Sequence, residues 1–332
     1  MKQRPLVIRS ATLLIVGAMT LAACSGNGTD TPTSSSEADT VQSTATTATT
    51  SAPLEAPAEP SVSIRDSGLT VTVQPAGDLV VHTMTAPEEV FANATHIIET
   101  ANSLVVVDTQ FLLPMAQDFR AYADGLGKPI NRVFITHEHP DHFLGSEAFA
   151  DLQVFALQAV SDSIAANGDA EVAEKQGDFG PEAIASTYVV PAVVEAGTVE
   201  IDGVVFELNE VVDAEAEIQL VIRVPEAGIV ATGDIVYSGV HLIFAGPADT
   251  WTEALNNLAA DSDSYPIVLP GHGLPADPNV YDANIAWLAT AGELLGSVDD
   301  AAAFKQGLVD AFPDLGMTAA IDFVTPFLFP EE

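Results

Sequence analysis

The 332-residue sequence holds a single cysteine, Cys24, so no disulfide can form within the chain. The fold must then rest on its core and on any bound cation. Basic side chains are scarce as well: ten Lys and Arg stand against 47 Asp and Glu, a formal charge of −37. So acidic a surface repels phosphate backbones and anionic headgroups, which argues against nucleic acid as a partner. The apolar stretch at residues 11–23 carries no charge, yet as a helix it reaches only about 20 Å, short of a bilayer's hydrocarbon core. Histidine is rare too. With seven in the chain, any cluster of them is informative.

Lys2, Arg4 and Arg9 precede that stretch, the pattern of a secretion signal rather than a membrane span. It ends Leu21-Ala22-Ala23-Cys24, which resembles the lipobox of bacterial lipoproteins. The resemblance implies cleavage before Cys24 and lipid on its thiol. It also implies residence in the cell envelope, on the extracytoplasmic side of a bacterial membrane. Losing the signal leaves seven basic residues against 47 acidic ones, a charge of about −40. Residues 24–60 are rich in Ser, Thr, Ala, Pro and Gly with few large apolar side chains. Such a stretch buries too little to offset its ordering entropy and reads as a disordered tether. The expected organisation is a signal at 1–23, a tether at 24–60 and one folded domain at 61–332.

From Leu69 onward, short apolar runs alternate with helical stretches. Strands are expected at Leu69–Val73, Leu79–Thr83, Ala94–Glu99, Ser103–Val107, Arg132–Thr136, Gly197–Leu208, Gln219–Val224, Ile229–Thr232 and Ile267–Leu269. Helices are expected at Pro114–Asp124, Ser146–Ala150, Leu157–Gly177 (with small breaks), Thr252–Ala260 and Asp282–Leu295. Antiparallel strand clusters followed by strand–helix units point to a layered α/β fold.

The chemistry concentrates in Thr136-His137-Glu138-His139-Pro140-Asp141-His142, directly after the apolar Val133-Phe134-Ile135. Alternate residues of an extended segment point the same way, so His137, His139 and Asp141 can converge. A turn at Pro140 lets His142 swing inward. Three imidazoles and a carboxylate in six residues suit a borderline cation such as zinc. A solvated polar loop with chance histidines is a poor account of such density.

This string resembles the HxHxDH signature of the metallo-β-lactamase superfamily, and other motifs arrive in that family's order. The resemblance implies a four-layer αββα sandwich holding two divalent ions, zinc in the first instance with manganese or iron as alternatives. Asp108, closing an apolar strand, matches the family's aspartate behind the metal loop. Asp234 after Gly233 matches its bridging aspartate, and His272 in Pro270-Gly271-His272-Gly273 its last histidine. One position departs. The family's histidine one hairpin before the bridging aspartate is missing, and counting back nineteen residues from Asp234 lands on Glu215. Asp213 is the alternative, and either could be an ordinary loop acid. The alkylsulfatase branch has a glutamate at that place in a similar string. The implied ligands are His137, His139 and Glu215 for one ion and Asp141, His142 and His272 for the other, with Asp234 shared. Asp141 and Asp234 are also the implied catalytic residues.

With Glu215 in place of histidine, two divalent ions, three carboxylates and a hydroxide sum to zero formal charge instead of plus one. That weakens the attraction for anionic substrates. Hydrolysis of an ester, lactone or related bond in a small molecule is the leading reading. β-Lactam hydrolysis, sulfate-ester hydrolysis and non-catalytic metal or ligand binding are the rivals. His82 and His96, in apolar strands, read as structural. His241 and Tyr237, close after Asp234, are candidates for the pocket wall or for a supporting place behind the metal ligands. The loops at Ala86–Phe91, Gly177–Glu195 and Val236–Thr250 are expected to cover the metals.

Overall fold

A computed structural model describes residues 60–244 and 248–330. The signal, Cys24 and nearly all of the tether lie outside the described residues. Among those described, no helix is long and apolar enough to cross a membrane.

Eight strands form one sheet in sequence order: β1 (Ser61–Ile64), β2 (Thr70–Ala76), β3 (Leu79–Thr85), β4 (Ala94–Glu99), β5 (Leu104–Val107), β6 (Ile130–Phe134), β7 (Val154–Ala156) and β8 (Ala192–Val193). It begins antiparallel and turns parallel from the β5–β6 pair onward. A second sheet runs β13 (Ile267–Gly273), β12 (Ile229–Ser238), β11 (Ile218–Val224), β10 (Val204–Val212), β9 (Gly197–Ile201), with β12 and β13 parallel. The helices are α1 (Leu113–Gly125), α2 (Pro140–Phe143), α3 (Gln158–Phe179), α4 (Ala248–Ala260), α5 (Asn279–Leu295), α6 (Ala301–Ala311) and α7 (Ala319–Leu328).

Alternation in the second sheet shows how the layers assemble. Leu220, Ile222, Ile229, Ala231, Ile267 and Leu269 point into the core shared with the first sheet. Their neighbours Val221, Val230 and Val268 point the other way, against Trp251 of α4 and Trp287 of α5. A period of two with both faces apolar is what a sheet between two layers requires. Helix α1 covers the first sheet with Met115, Phe119 and Ala123. The α/β sandwich expected from sequence is therefore the observed fold.

Several details differ from the sequence reading. Gly197–Leu208 is a hairpin of β9 and β10 turning at Asp202-Gly203, both at positive φ. The stretch from Leu157 is one unbroken helix, α3. Ser146–Ala150 overlaps a 3-10 helix, Leu144–Phe149, that Ala150 caps. Pro140 does not simply turn the chain; it opens α2, whose fixed φ suits a helix start. Strand β1 and helices α6 and α7 were not anticipated.

His82 and His96 are core members, as read. His82 bonds Tyr122 Oη at 2.8 Å and Glu99 Oε2 at 2.9 Å. His96 Nε2–H donates to the Pro270 carbonyl at 3.0 Å, which leaves Nδ1 to accept from Thr83 Oγ1 at 2.9 Å. Burial pushes the His96 imidazole down to about 4 and lowers His82 as well. A depressed histidine stabilises the fold fully above its unfolded value and loses that contribution as pH falls toward its folded one. Unfolding free energy is thus expected to drop by about 3 kcal/mol from His96 alone between pH 6.5 and pH 4. Denaturant titrations across that window should show a shallower decline for His96→Gln; equal slopes would contradict this role.

Candidate metal centre

In both sheets the parallel strands end at the same place, the usual location for ligands in open α/β sheets. Asp108 follows β5 and the His137–His142 loop follows β6. Asp234 lies within β12 and His272 within β13. The Leu220 amide of β11 donates to the Thr136 carbonyl at 2.8 Å, joining the loop to the other sheet.

Asp108 organises the loop from behind. Its backbone is left-handed, φ 61°, a conformation Asp and Asn tolerate better than most residues. Its carboxylate accepts from the Thr136 amide, the Thr136 hydroxyl (each 2.8 Å) and His142 Nδ1 (2.9 Å). Since the Thr136 hydroxyl spends its proton there, its oxygen accepts from His137 Nδ1–H at 2.9 Å. His272 Nδ1–H donates to the Phe91 carbonyl at 2.6 Å. In all three rings Nδ1 is committed, so the Nε2 lone pair faces the cluster. Such partners fix tautomer and ring orientation in metal-binding histidines.

Two groups of four result, and both contain Asp234. In one, His137, His139, Glu215 and Asp234 bring ligand atoms within 4.8 Å of one another; in the other, Asp141, His142, Asp234 and His272 do. His139 Nδ1 lies 3.5 Å from Glu215 Oε2, and His137 Nε2 lies 3.5 Å from Asp234 Oδ2. His272 Nε2 is 3.0 Å from Asp234 Oδ2 and 3.4 Å from Asp141 Oδ2. Asp213 is exposed and stands apart, its amide closing a turn onto the Glu217 carbonyl at 2.8 Å. Of the two acids left open by the sequence, Glu215 is the one brought to the histidines.

The donor set fits cations. His142 Nε2 and Asp234 Oδ1 face each other at 3.0 Å, yet both are buried without a hydrogen-bond partner. Three buried carboxylates at such distances repel one another unless positive charge intervenes. Burial would lower His139, but Glu215 and Asp234 outweigh it and push its imidazole up to about 10. Burial likewise opposes protonation of His142 and His272, and neighbouring carboxylates raise both. Burial pushes Glu215 up to about 8 despite His139 beside it.

Two glycines make the room. Gly233 has φ 55°, and a Cβ there would lie 3.0 Å from Thr136 Oγ1. A Cβ on Gly271 would fall 1.8 Å from Asp234 Oδ1, where no side chain can go.

A cavity of about 690 Å³ opens onto His139, Asp141, Glu215 and Asp234. Neither His241 nor Tyr237 is part of its wall. His241 is fully buried and accepts from Trp287 Nε1 at 3.0 Å, away from the cavity. Tyr237 is buried too, donating to Asp234 Oδ2 at 3.2 Å and stacking on His272 at 4.6 Å, so it supports those two from behind, one of the two places the sequence left open for it. Phe91 and Ile243 come from two of the expected covering loops. The third expectation, 177–195, gives Asp178 and Phe179, which belong to α3 rather than a loop; α7 was missed entirely. Gln219, which donates to Glu215 Oε2 at 3.0 Å, was also missed. A glutamine interrupting the apolar run between Ile218 and Leu220 was the available signal, and the structure buries it fully.

A sequence model described as the metallo-beta-lactamase superfamily matches residues 89–272, more than half of the chain and nearly every residue just described. The chain belongs to the metallo-beta-lactamase superfamily. It is accordingly a metal-dependent hydrolase by family. Solved metallo-beta-lactamases share the fold. One from Pontibacter korlensis is 17% identical, covering 70% of this chain and 99% of its own, with a TM-score of 0.50. FIM-1 from Pseudomonas aeruginosa, in a mono-zinc form, is 18% identical over 67% of this chain and 96% of its own, with a TM-score of 0.51. DIM-1 exposed to ceftazidime is 16% identical over 67% and 97%, with a TM-score of 0.52. None of the curated proteins matches the sequence.

Asp108→Asn keeps the size and the left-handed backbone but removes one of the carboxylate's acceptors. Chelator competition should show zinc affinity about 10- to 100-fold weaker with the fold intact. An unchanged affinity would remove Asp108 from this role.

Proposed function

We propose that this chain hydrolyses an ester, lactone or related bond in a small molecule, using two divalent ions, zinc foremost, that share Asp234. The pair of four-residue groups meeting at that one carboxylate carries the reading. His137, His139 and Glu215 would hold one ion; Asp141, His142 and His272 would hold the other. Such ions, when bound, supply Lewis acidity that brings a water's pKa toward neutrality.

The chain's own residues do the rest. Asp234, at the base of the cavity with only 2% of its side chain exposed, serves as a fixed negative charge. Tyr237 keeps it aimed, because burial and the Asp234 charge hold the phenol firmly protonated as a donor. Asp141 differs. Its side chain is 16% exposed, it lines the cavity, and Asn93 Nδ2 lies 3.5 Å from its Oδ2. In this reading it orients the attacking water, takes its proton and returns it to the leaving group. His139, 38% exposed, stands at the mouth where substrate arrives.

We also propose that the mature protein is anchored through lipid on Cys24, on the strength of its lipobox-like signal. Clickable palmitate should label the wild type and not Cys24→Ser; equal labelling would contradict the anchor.

Turnover of an ester and lactone panel tests the hydrolase reading. Chelation is expected to abolish activity and added zinc, manganese or iron(II) to restore it. Asp234→Asn should reduce kcat/KM by at least about a thousandfold, as loss of a whole metal cluster does. Activity that survives either treatment counts against the proposal.

A further inference from the structure

Five phenylalanines form a continuous arc along one side of the cavity. Phe179, at the end of α3, meets Phe111 at 5.1 Å; Phe111 meets Phe91 at 6.3 Å; Phe91 meets Phe323 at 5.8 Å; Phe323 meets Phe327 at 6.2 Å. Every contact is edge-to-face, the geometry aromatic pairs prefer. All five rings line the cavity that reaches the His–Asp cluster. Phe179, Phe323 and Phe327 remain 41%, 47% and 67% exposed. Scattered exposed phenylalanines need no explanation, but contiguous ones beside a cavity mark a surface that something apolar covers.

The arc is built in. Phe91 gives its carbonyl to His272 and its ring to the arc, so the same residue serves the cluster and the apolar wall. The segment leading into α7 is tied down at several points. Glu88 accepts the Met317 amide at 2.7 Å, and Gly316 exchanges backbone bonds of 3.0 Å with Gly239 and His241. Phe323 and Phe327, one turn apart on α7, are thereby held over the opening.

Charge along the cavity is one-sided. Helix α3 contributes Glu171, Glu174 and Asp178. Lys175 is the only lysine or arginine among the described residues that line the space, and its ammonium sits 2.7 Å from Glu174. An anionic ligand would meet like charge there without a basic partner, whereas a neutral one is not penalised and a cation is attracted by both the acids and the ring faces.

We infer that the substrate is an ester or lactone carrying an extended apolar acyl or aryl portion and no negative charge. Its reacting bond lies at the His–Asp cluster and its apolar portion along Phe179, Phe111, Phe91, Phe323 and Phe327. This rests on the hydrolase reading above and adds the chemistry that selects the substrate. A volume of about 690 Å³ suits a ligand of that size.

Binding can be read without turnover. Methyl alkyl ketones of increasing length hold no cleavable bond, and calorimetry on the metal-loaded protein gives their Kd. Affinity is expected to rise about three- to fourfold per added methylene until the arc is covered, with a growing negative heat-capacity change. A ketone ending in carboxylate should bind at least about tenfold more weakly than its ammonium counterpart. The Phe323→Ala/Phe327→Ala double variant, altering two half-exposed rings, should flatten the ladder while retaining metal. Glu171→Gln/Glu174→Gln/Asp178→Asn should narrow the gap between carboxylate and ammonium. A flat ladder in the wild type, or a carboxylate bound as tightly as the ammonium, overturns the inference. A steep ladder with no turnover of the matching esters overturns the hydrolase reading instead, and turnover with a flat ladder overturns only the substrate class.

Discussion

Asp141, Asp234 and Glu215 crowd among four imidazoles at a buried junction of two sheets, and only intervening positive charge makes that crowding tolerable. Much of the surrounding structure serves that requirement. Strands of both sheets end together so that residues more than a hundred positions apart can meet. Glycine stands where Asp234 needs space, and Asp108, Thr136 and the Phe91 carbonyl commit one nitrogen of each of three rings. Neighbouring carboxylates favour the charged imidazoles of His139, His142 and His272, so binding a cation there competes with protonation. Cation uptake must therefore displace protons, which links occupancy of the site to pH.

The replacement of an expected histidine by Glu215 changes the site's character. A carboxylate makes the cluster less positive when loaded, and its burial with Gln219 at 3.0 Å fixes which oxygen faces His139. The same preference extends outward. The acids of α3 and the phenylalanine arc lie along one cavity with the cluster at its base. Loaded as proposed, a centre of low positive charge beneath an acidic, aromatic wall would be poorly matched to anions at both ends.

How legible this was from sequence depended on range. Short-range signals were strong: the HxHxDH string, the Gly-Asp and Pro-Gly-His-Gly segments and the strand alternation each express their physics within a few residues. Strand ends drifted by one to several residues because pairing partners, absent from local pattern, decide them. Ile229–Thr232 was expected where β12 runs on to Ser238, its register shifting around Gly233. Features made by distant chain segments stayed hidden. Nothing in the local sequence ties Glu88 to Met317 or Phe91 to Phe323, so α7 and its rings over the cavity could not be foreseen. His241 shows the converse. Its position close after Asp234 suggested the pocket, whereas the direction of its side chain is set by Trp287, 46 residues on.

The central claim is that one carboxylate, Asp234, is shared by two cations. Crystals of the zinc-loaded domain measured on both sides of the zinc edge address it directly through anomalous difference maps. Two peaks are expected, one among His137, His139 and Glu215 and one among Asp141, His142 and His272, each in contact with Asp234. A single peak, or peaks that leave Asp234 untouched, would contradict the account.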